Sequence, residues 1–209
     1  MLRILIADDH TVVRKGLRQI LMDEFPNAHI EEVPDAEELI KKVMAEKWDV
    51  VVSDLSMPGR SGLDALQQIK ISHPDLPVLI LSIHPEEQYA LRSLKSGASG
   101  YLSKDTAPDE LVKAVKKVML GKKYISQTIA EKLANTFSTD TSLNPHESLS
   151  DREFDVMKLL ANGKSVSEIA EMLSLSVTTV STYRARLMVK MNLKSNSDLT
   201  KYAIENNLL

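Results

Sequence analysis

Five short apolar runs recur along the first 120 or so residues, and polar residues close each of them. Leu2 to Ala7 leads into Asp8-Asp9, Ile30 to Val33 into Asp35, Trp48 to Ser53 into Asp54, Pro77 to Leu81 into Ser82, and Gly100 to Leu102 into Ser103-Lys104. Between the runs, apolar residues return at helical spacing. The sets are Val13, Leu17, Ile20 and Leu21; Leu39, Ile40, Val43 and Met44 behind a capping-box-like Asp35 and Glu38; Leu63, Leu66 and Ile69; Leu91 and Leu94 behind Pro85; and Leu111, Val115, Val118 and Met119. Short β-branched runs such as Val50-Val51-Val52 suit strands covered on both faces. Strand and helix alternating five times predict a doubly wound, parallel five-stranded α/β sheet over residues 1–121, with right-handed crossovers. In open sheets of this kind ligands bind outside the carboxyl ends of the strands, so Asp8, Asp9, Asp54, Ser82 and Lys104 are expected to meet at one edge.

Beyond residue 121 the pattern changes. A linker is expected over 122–147; it includes a helix over 127–137 with Ile129, Leu133 and Phe137 on one face, followed by a polar, turn-prone stretch. Residues 148–209 read as an all-α domain. Ser150 with Glu153, Ser165 with Glu168, and Ser176 ahead of Val177-Thr178-Thr179 signal three helix starts. Ser165 to Leu173 and Ser176 to about Met191, joined by a tight Ser-Leu-Ser turn, have the spacing of a helix-turn-helix. A final helix is expected from Asp198 to Asn206.

Composition narrows the classes. The chain has 209 residues, 26% of them charged, with a net charge of -3 and no cysteine, which removes disulfides and thiolate chemistry. The first residues meet acid too soon for a signal peptide, and no apolar run approaches a membrane span, so a cytoplasmic protein without membrane partners is expected. Charge is unevenly placed: from 176 to 201 the bases Arg184, Arg186, Lys190, Lys194 and Lys201 face one acid, Asp198.

Three carboxylates at one strand edge repel unless a cation neutralises them, and a hard divalent ion with oxygen ligands does so well. Asp8, Asp9 and Asp54 therefore suggest a Mg²⁺ site, beside which a carboxylate can act as nucleophile toward a phosphoryl group. Lys104 would bring positive charge to phosphoryl oxygens and the Ser82 hydroxyl a hydrogen bond. Structural roles stay open to each: Asp54 or Asp9 as a cap, Ser82 as a strand end, Lys104 in solvent.

On the second helix of the helix-turn-helix, Val180, Leu187 and Met191 share a core stripe. Thr178, Thr182, Ala185 and Val189 face away from it, flanked by Ser181 and Arg186. Small and hydroxyl side chains permit close entry to a major groove, while Arg184, Arg186, Lys190 and Lys194 can reach phosphates or guanine edges. A protein-interaction module with a solvated basic face remains the alternative.

Asp8-Asp9, Asp54-Leu55-Ser56-Met57-Pro58 with Gly62, Ser82, and Tyr101 three residues before Lys104 resemble the receiver domain of two-component response regulators. The resemblance implies a flavodoxin-like fold of strand order 2-1-3-4-5. It implies Asp54 as phosphoacceptor from a histidine kinase, and Mg²⁺ held by Asp9, Asp54 and the backbone carbonyl of Ser56 with Asp8 close by. It further implies a switch through Ser82 and Tyr101, and positions at Ser56 and His84 that tune phosphoryl lifetime. Asp105 stands where many receivers have proline.

Leu149-Ser150-Asp151-Arg152-Glu153, Ile169-Ala170, Thr179 to Leu187 and Asn192-Leu193-Lys194-Ser195 are similar to a LuxR-type helix-turn-helix of the NarL/FixJ class. That resemblance implies DNA contacts from Thr178, Thr179, Ser181, Thr182, Tyr183, Arg184, Ala185, Arg186, Lys190 and Lys194, although some members carry lysine where Ser181 and Ala185 stand. It also implies a homodimer on inverted half-sites of double-stranded promoter DNA. A non-enzymatic transcriptional regulator is expected. Its rivals are a Mg²⁺-dependent phosphohydrolase and an unphosphorylated interaction module.

Overall fold

In the computed structural model residues 1–131 and 144–209 are described, and the chain divides into two compact units, Met1–Ser138 and Thr139–Leu209. The first unit alternates strand and helix: β1 Arg3–Ala7, α1 Thr11–Glu24, β2 His29–Val33, α2 Ala36–Ala45, β3 Val50–Asp54, α3 Gly62–Ser72, β4 Val78–Ser82, α4 Glu86–Lys95, β5 Gly100–Ser103 and α5 Ala107–Met119. All pairings are parallel, in the order β2-β1-β3-β4-β5.

The apolar runs became strands because both faces of the sheet are covered. Every residue of β3 and β4 is buried. One face carries Ile4, Ile6, Val50, Val52, Leu79 and Leu81, which pack against Leu17 and Leu21 of α1 and Leu111, Val115 and Val118 of α5. Full burial of each such side chain contributes roughly 1.5–3 kcal/mol. Register then aligns the carboxyl ends: Ala7 pairs with Ser53, Asp54 with Leu81, and Ser82 with Ser103.

Two expectations for the first unit need correction. The third strand starts at Val50, not at Trp48. Trp48 instead plugs the strand's entry, its indole N–H donating to the Lys42 carbonyl at 3.2 Å with the Arg3 guanidinium 4.7 Å above the ring. The buried face of α4 is Tyr89, Ala90 and Ser93, with Leu91 and Leu94 only half-buried. Ser93 tolerates burial because its hydroxyl donates to the Tyr89 carbonyl at 2.9 Å. The helix expected over 127–137 is present from 127 to 131, and its remainder, with Leu133 and Phe137, lies outside the described residues.

The second unit opens with a 3₁₀ turn, Pro145–Ser148, followed by α6 Asp151–Ala161, α7 Val166–Met172, α8 Val177–Lys190 and α9 Asn196–Glu205. Capping boxes at Ser150/Glu153 and Ser165/Glu168 start α6 and α7, and the Ser176 hydroxyl accepts from the Thr179 N–H to start α8. The last helix begins two residues before Asp198, because Ser195 and Asp198 form a further capping box. Ser174, at φ 52°, makes the turn between α7 and α8. Phe154, Met157, Ile169, Val180, Leu187, Leu199 and Ala203 form the core. No helix among the described residues is long and apolar enough to cross a membrane.

Gly62 ties α3 to the sheet edge. A Cβ there would lie 1.9 Å from the Asp54 carbonyl oxygen, whereas one at Gly16, within α1, would meet nothing within 4 Å. Gly62→Ala is expected to destabilise the first unit by about 1–3 kcal/mol through overpacking, and Gly16→Ala to stabilise it by about 0.5–1 kcal/mol. Urea unfolding followed by the fluorescence of Trp48, the one tryptophan in the chain, checks both; equal effects would refute this account.

Candidate phosphoacceptor pocket and nucleic-acid interface

Each acidic side chain reaches the pocket from a strand end that the register sets. Asp8 follows β1 and is fully buried; its Oδ1 accepts the His10 N–H at 2.8 Å. Asp9 does not cap α1: His10 occupies that position without a side-chain cap bond, and Asp9 Oδ1 lies 2.7 Å from His10 Nδ1. Asp54 closes β3 and is 2% exposed. Its Oδ1 accepts the Ser56 N–H at 3.3 Å.

Lys104, just beyond β5, is not in solvent. Its Nζ lies 2.7 Å from Asp54 Oδ2 and 2.7 Å from Asp8 Oδ2, and its N–H donates to the Ser82 carbonyl at 2.8 Å. Ser82 is fully buried, its hydroxyl oxygen accepting the His84 N–H at 2.9 Å. Tyr101 is 2% exposed, and its hydroxyl donates to the His84 carbonyl at 2.9 Å. His84 also places Nε2 2.9 Å from the Ser56 hydroxyl and stacks its ring on Tyr89 at 4.7 Å.

Burial pushes the Asp54 carboxyl up to about 6; the Lys104 ammonium only partly opposes this, and the neighbouring Asp8 charge adds to it. Burial also pulls the Lys104 ammonium down, but hydrogen bonds and charge from Asp54 and Asp8 outweigh it, and the net direction is up. The oxygens of Asp8, Asp9 and Asp54, with a His10 ring nitrogen, lie within 4.8 Å of one another. Three carboxylates against one ammonium leave negative charge that a divalent cation would offset, and an oxygen-rich donor set suits a hard one.

Sequence reasoning missed two contributors. His10, directly after the acidic pair, joins the donor set, and its adjacency was the available signal. Arg14 holds the β1–α1 loop by donating to the Asp8 carbonyl and, at 3.3 Å, to the Thr11 hydroxyl. One helical turn beyond His10, Arg14 carries no pattern that predicts this.

On α8, Thr178, Ser181, Thr182, Ala185, Arg186 and Val189 are exposed, while Thr179, Tyr183 and Arg184 are half-buried. Arg184 donates to Asn196 Oδ1 at 2.9 and 3.1 Å. Lys190 donates to the buried Glu153 at 2.6 Å. Burial acts to raise the Glu153 pKa, but the Lys190 and Ser150 hydrogen bonds prevail and hold it below the usual range. Lys194 is exposed just beyond the helix.

Residues 4–116 match the family described as response regulator receiver domain, and residues 147–203 that described as bacterial regulatory proteins, luxR family. The chain belongs to the response regulators. Its receiver is followed by a LuxR-type DNA-binding domain. It is 37% identical over 209 residues to the response regulator UvrY of Escherichia coli K12, covering 100% of this chain and 96% of that protein. With the oxygen regulatory protein NreC of Staphylococcus carnosus it shares 39% over 215 residues, covering 100% of this chain and 99% of NreC. Among solved structures, RcsB of Salmonella enterica serovar Typhimurium, bound to promoter rprA with the phosphomimetic BeF3-, is similar at 28% identity and a TM-score of 0.62, covering 97% of this chain and 98% of RcsB.

Asp54 makes receiver stability depend on pH in the absence of divalent cations. Its folded pKa of about 6 lies above the ordinary value of 3.8, so its favourable contribution is complete below pH 3.8 and is lost as pH rises through 6. Asp54→Asn, which mimics the neutral acid, is therefore expected to stabilise the receiver by about 3 kcal/mol at pH 8 and about half that at pH 5. Denaturant titrations in chelator at both pH values test this, and a gain that grows toward acid would contradict it.

Proposed function

We propose that this response regulator accepts a phosphoryl group on Asp54 from a histidine kinase and thereby switches dimerisation and sequence-specific binding to promoter DNA. The observation that carries the reading is the Asp54 carboxylate, buried at the sheet edge and held between the Lys104 ammonium and the Ser56 N–H. Both groups orient the carboxylate, and Lys104 opposes the charge that develops on transferring phosphoryl oxygens. Asp9, Asp54 and the Ser56 carbonyl would hold Mg²⁺, with Asp8 close by. When bound, the ion offsets the repulsion between the carboxylates and an incoming phosphoryl group.

An Asp54 oxygen attacks phosphorus as the P–N bond of the kinase's phosphohistidine breaks, and the imidazole leaves with the electron pair. Ser82 then meets a new acceptor. Turning its hydroxyl toward the phosphoryl group disturbs the bond it accepts from the His84 N–H, and His84 passes the change to Tyr101 through its carbonyl. Tyr101 and Tyr89 carry it to β5 and α4.

In the DNA-binding domain the reading assigns Thr178, Thr179, Ser181, Thr182, Tyr183 and Ala185 to the major groove, with Arg184, Arg186, Lys190 and Lys194 nearer the phosphates. Receiver pairing joins two such domains, so that each half-site binds at the effective concentration set by the other. The protein works in the cytoplasm.

A small phosphodonor with Mg²⁺ is expected to tighten DNA binding on the order of 10²-fold and to drive dimerisation in the wild type, with neither effect in Asp54→Ala. Sedimentation and DNA titration on the same samples measure both. Identical behaviour of the two proteins would sink the phosphorylation switch while leaving DNA binding standing.

A further inference from the structure

What the DNA-facing surface reads follows from which side chains lead it. Around α8 the residues diametrically opposite the buried Val180, Leu187 and Met191 are Thr178, Thr182, Ala185 and Val189, all exposed, Val189 at 81%. None carries a charge. Their outward groups are the separate methyl and hydroxyl of each of the two threonines, one alanine methyl and one isopropyl.

The cations sit elsewhere and are partly committed. Arg184 lies on the core side, its guanidinium bound twice to the Asn196 side chain at the start of α9. Lys190, on the flank, is held by buried Glu153 of α6, and breaking that pair would leave a buried carboxylate uncompensated. Arg186 stands on the same flank about 60° from the centre of the face, by the 100° step of an α-helix, and is placed for a phosphate at the groove wall.

In the major groove the four base pairs differ in donors and acceptors and in one apolar group, the thymine C5-methyl. Guanine is read by a bidentate cation, which the centre of this face lacks. Thymine is read by methyls of alanine and threonine, which it has. We infer that α8 selects its half-site through thymine methyl groups packed against Thr182, Ala185 and Val189, so that the protein prefers A·T-containing half-sites with thymines at the groove positions facing these residues. The inference rests on the DNA-binding reading above and adds what is read.

The test is selection of binding duplexes from a random pool by the full chain, with phosphodonor and Mg²⁺. The selected duplex is then remade with deoxyuridine in place of each thymine, which deletes only the methyl. Enriched half-sites are expected to hold at least two thymines whose conversion weakens binding about fourfold each, the partition of one methyl from water. Conversion outside the half-sites should change nothing. Thr182→Ser, which removes the protein methyl and keeps the hydroxyl, should abolish the sensitivity at one thymine while leaving its neighbours' intact. Ala185→Lys should shift the selected sequence toward guanine. Half-sites fixed by guanine, insensitive to deoxyuridine and lost on Arg186→Ala, would overturn the inference while upholding DNA binding. No enrichment of any duplex would overturn the DNA-binding reading itself.

Discussion

One ammonium shared by two buried carboxylates sets the terms for the receiver. Lys104 reaches Asp8 and Asp54 at 2.7 Å each from the end of β5, two strands, or about 10 Å, away from β3. That reach requires β4 to end level with both neighbours. The pairings of Asp54 with Leu81 and of Ser82 with Ser103 provide this, and the Lys104 N–H on the Ser82 carbonyl fixes it. A one-residue slip of β5 against β4 would flip its side chains across the sheet and withdraw the ammonium. The covered sheet is therefore more than a core, because its register aims the charge.

Such a cluster does not stabilise the fold. Burial raises the Asp54 pKa in spite of Lys104, so ionised Asp54 costs folding free energy at neutral pH. The hydrophobic layers supplied by α1 and α5 on one side of the sheet offset that cost. A pocket held under this tension responds strongly to added charge, positive or negative, because the buried Asp8 and Asp54 carboxylates are weakly screened.

The five strands and the gathering of their polar ends at one edge were legible in the sequence, since buried parallel strands are continuous apolar runs and their polar ends are plain to see; the strand order came only from the resemblance to receivers. What escaped depended on contacts that periodicity does not encode. Leu91 and Leu94 looked like the core face of α4, but a serine hydroxyl that bonds its own helix can be buried as readily as leucine, and Tyr89, Ala90 and Ser93 turned inward. Trp48 has the composition of a strand residue, yet it serves as a plug under Arg3. The start of α9 hinged on Ser195 as a cap, a signal present in the chain and passed over. The hydrogen bonds from Lys190 to Glu153 and from Arg184 to Asn196 join residues that no spacing rule pairs, so nothing in the sequence signalled them.

His84 shows why the pocket and α4 cannot change independently. Its N–H is bound by Ser82, its carbonyl by Tyr101, and its ring lies between the Ser56 hydroxyl and Tyr89. Moving the Ser82 hydroxyl disturbs the backbone of the residue whose ring is fixed at two further points. A small rotation there meets Tyr101 and Tyr89, both buried in close packing that takes up discrete arrangements rather than graded ones. The Ser82 hydroxyl is thus geared to two aromatic side chains through one residue, and this arrangement suits a receiver with two states.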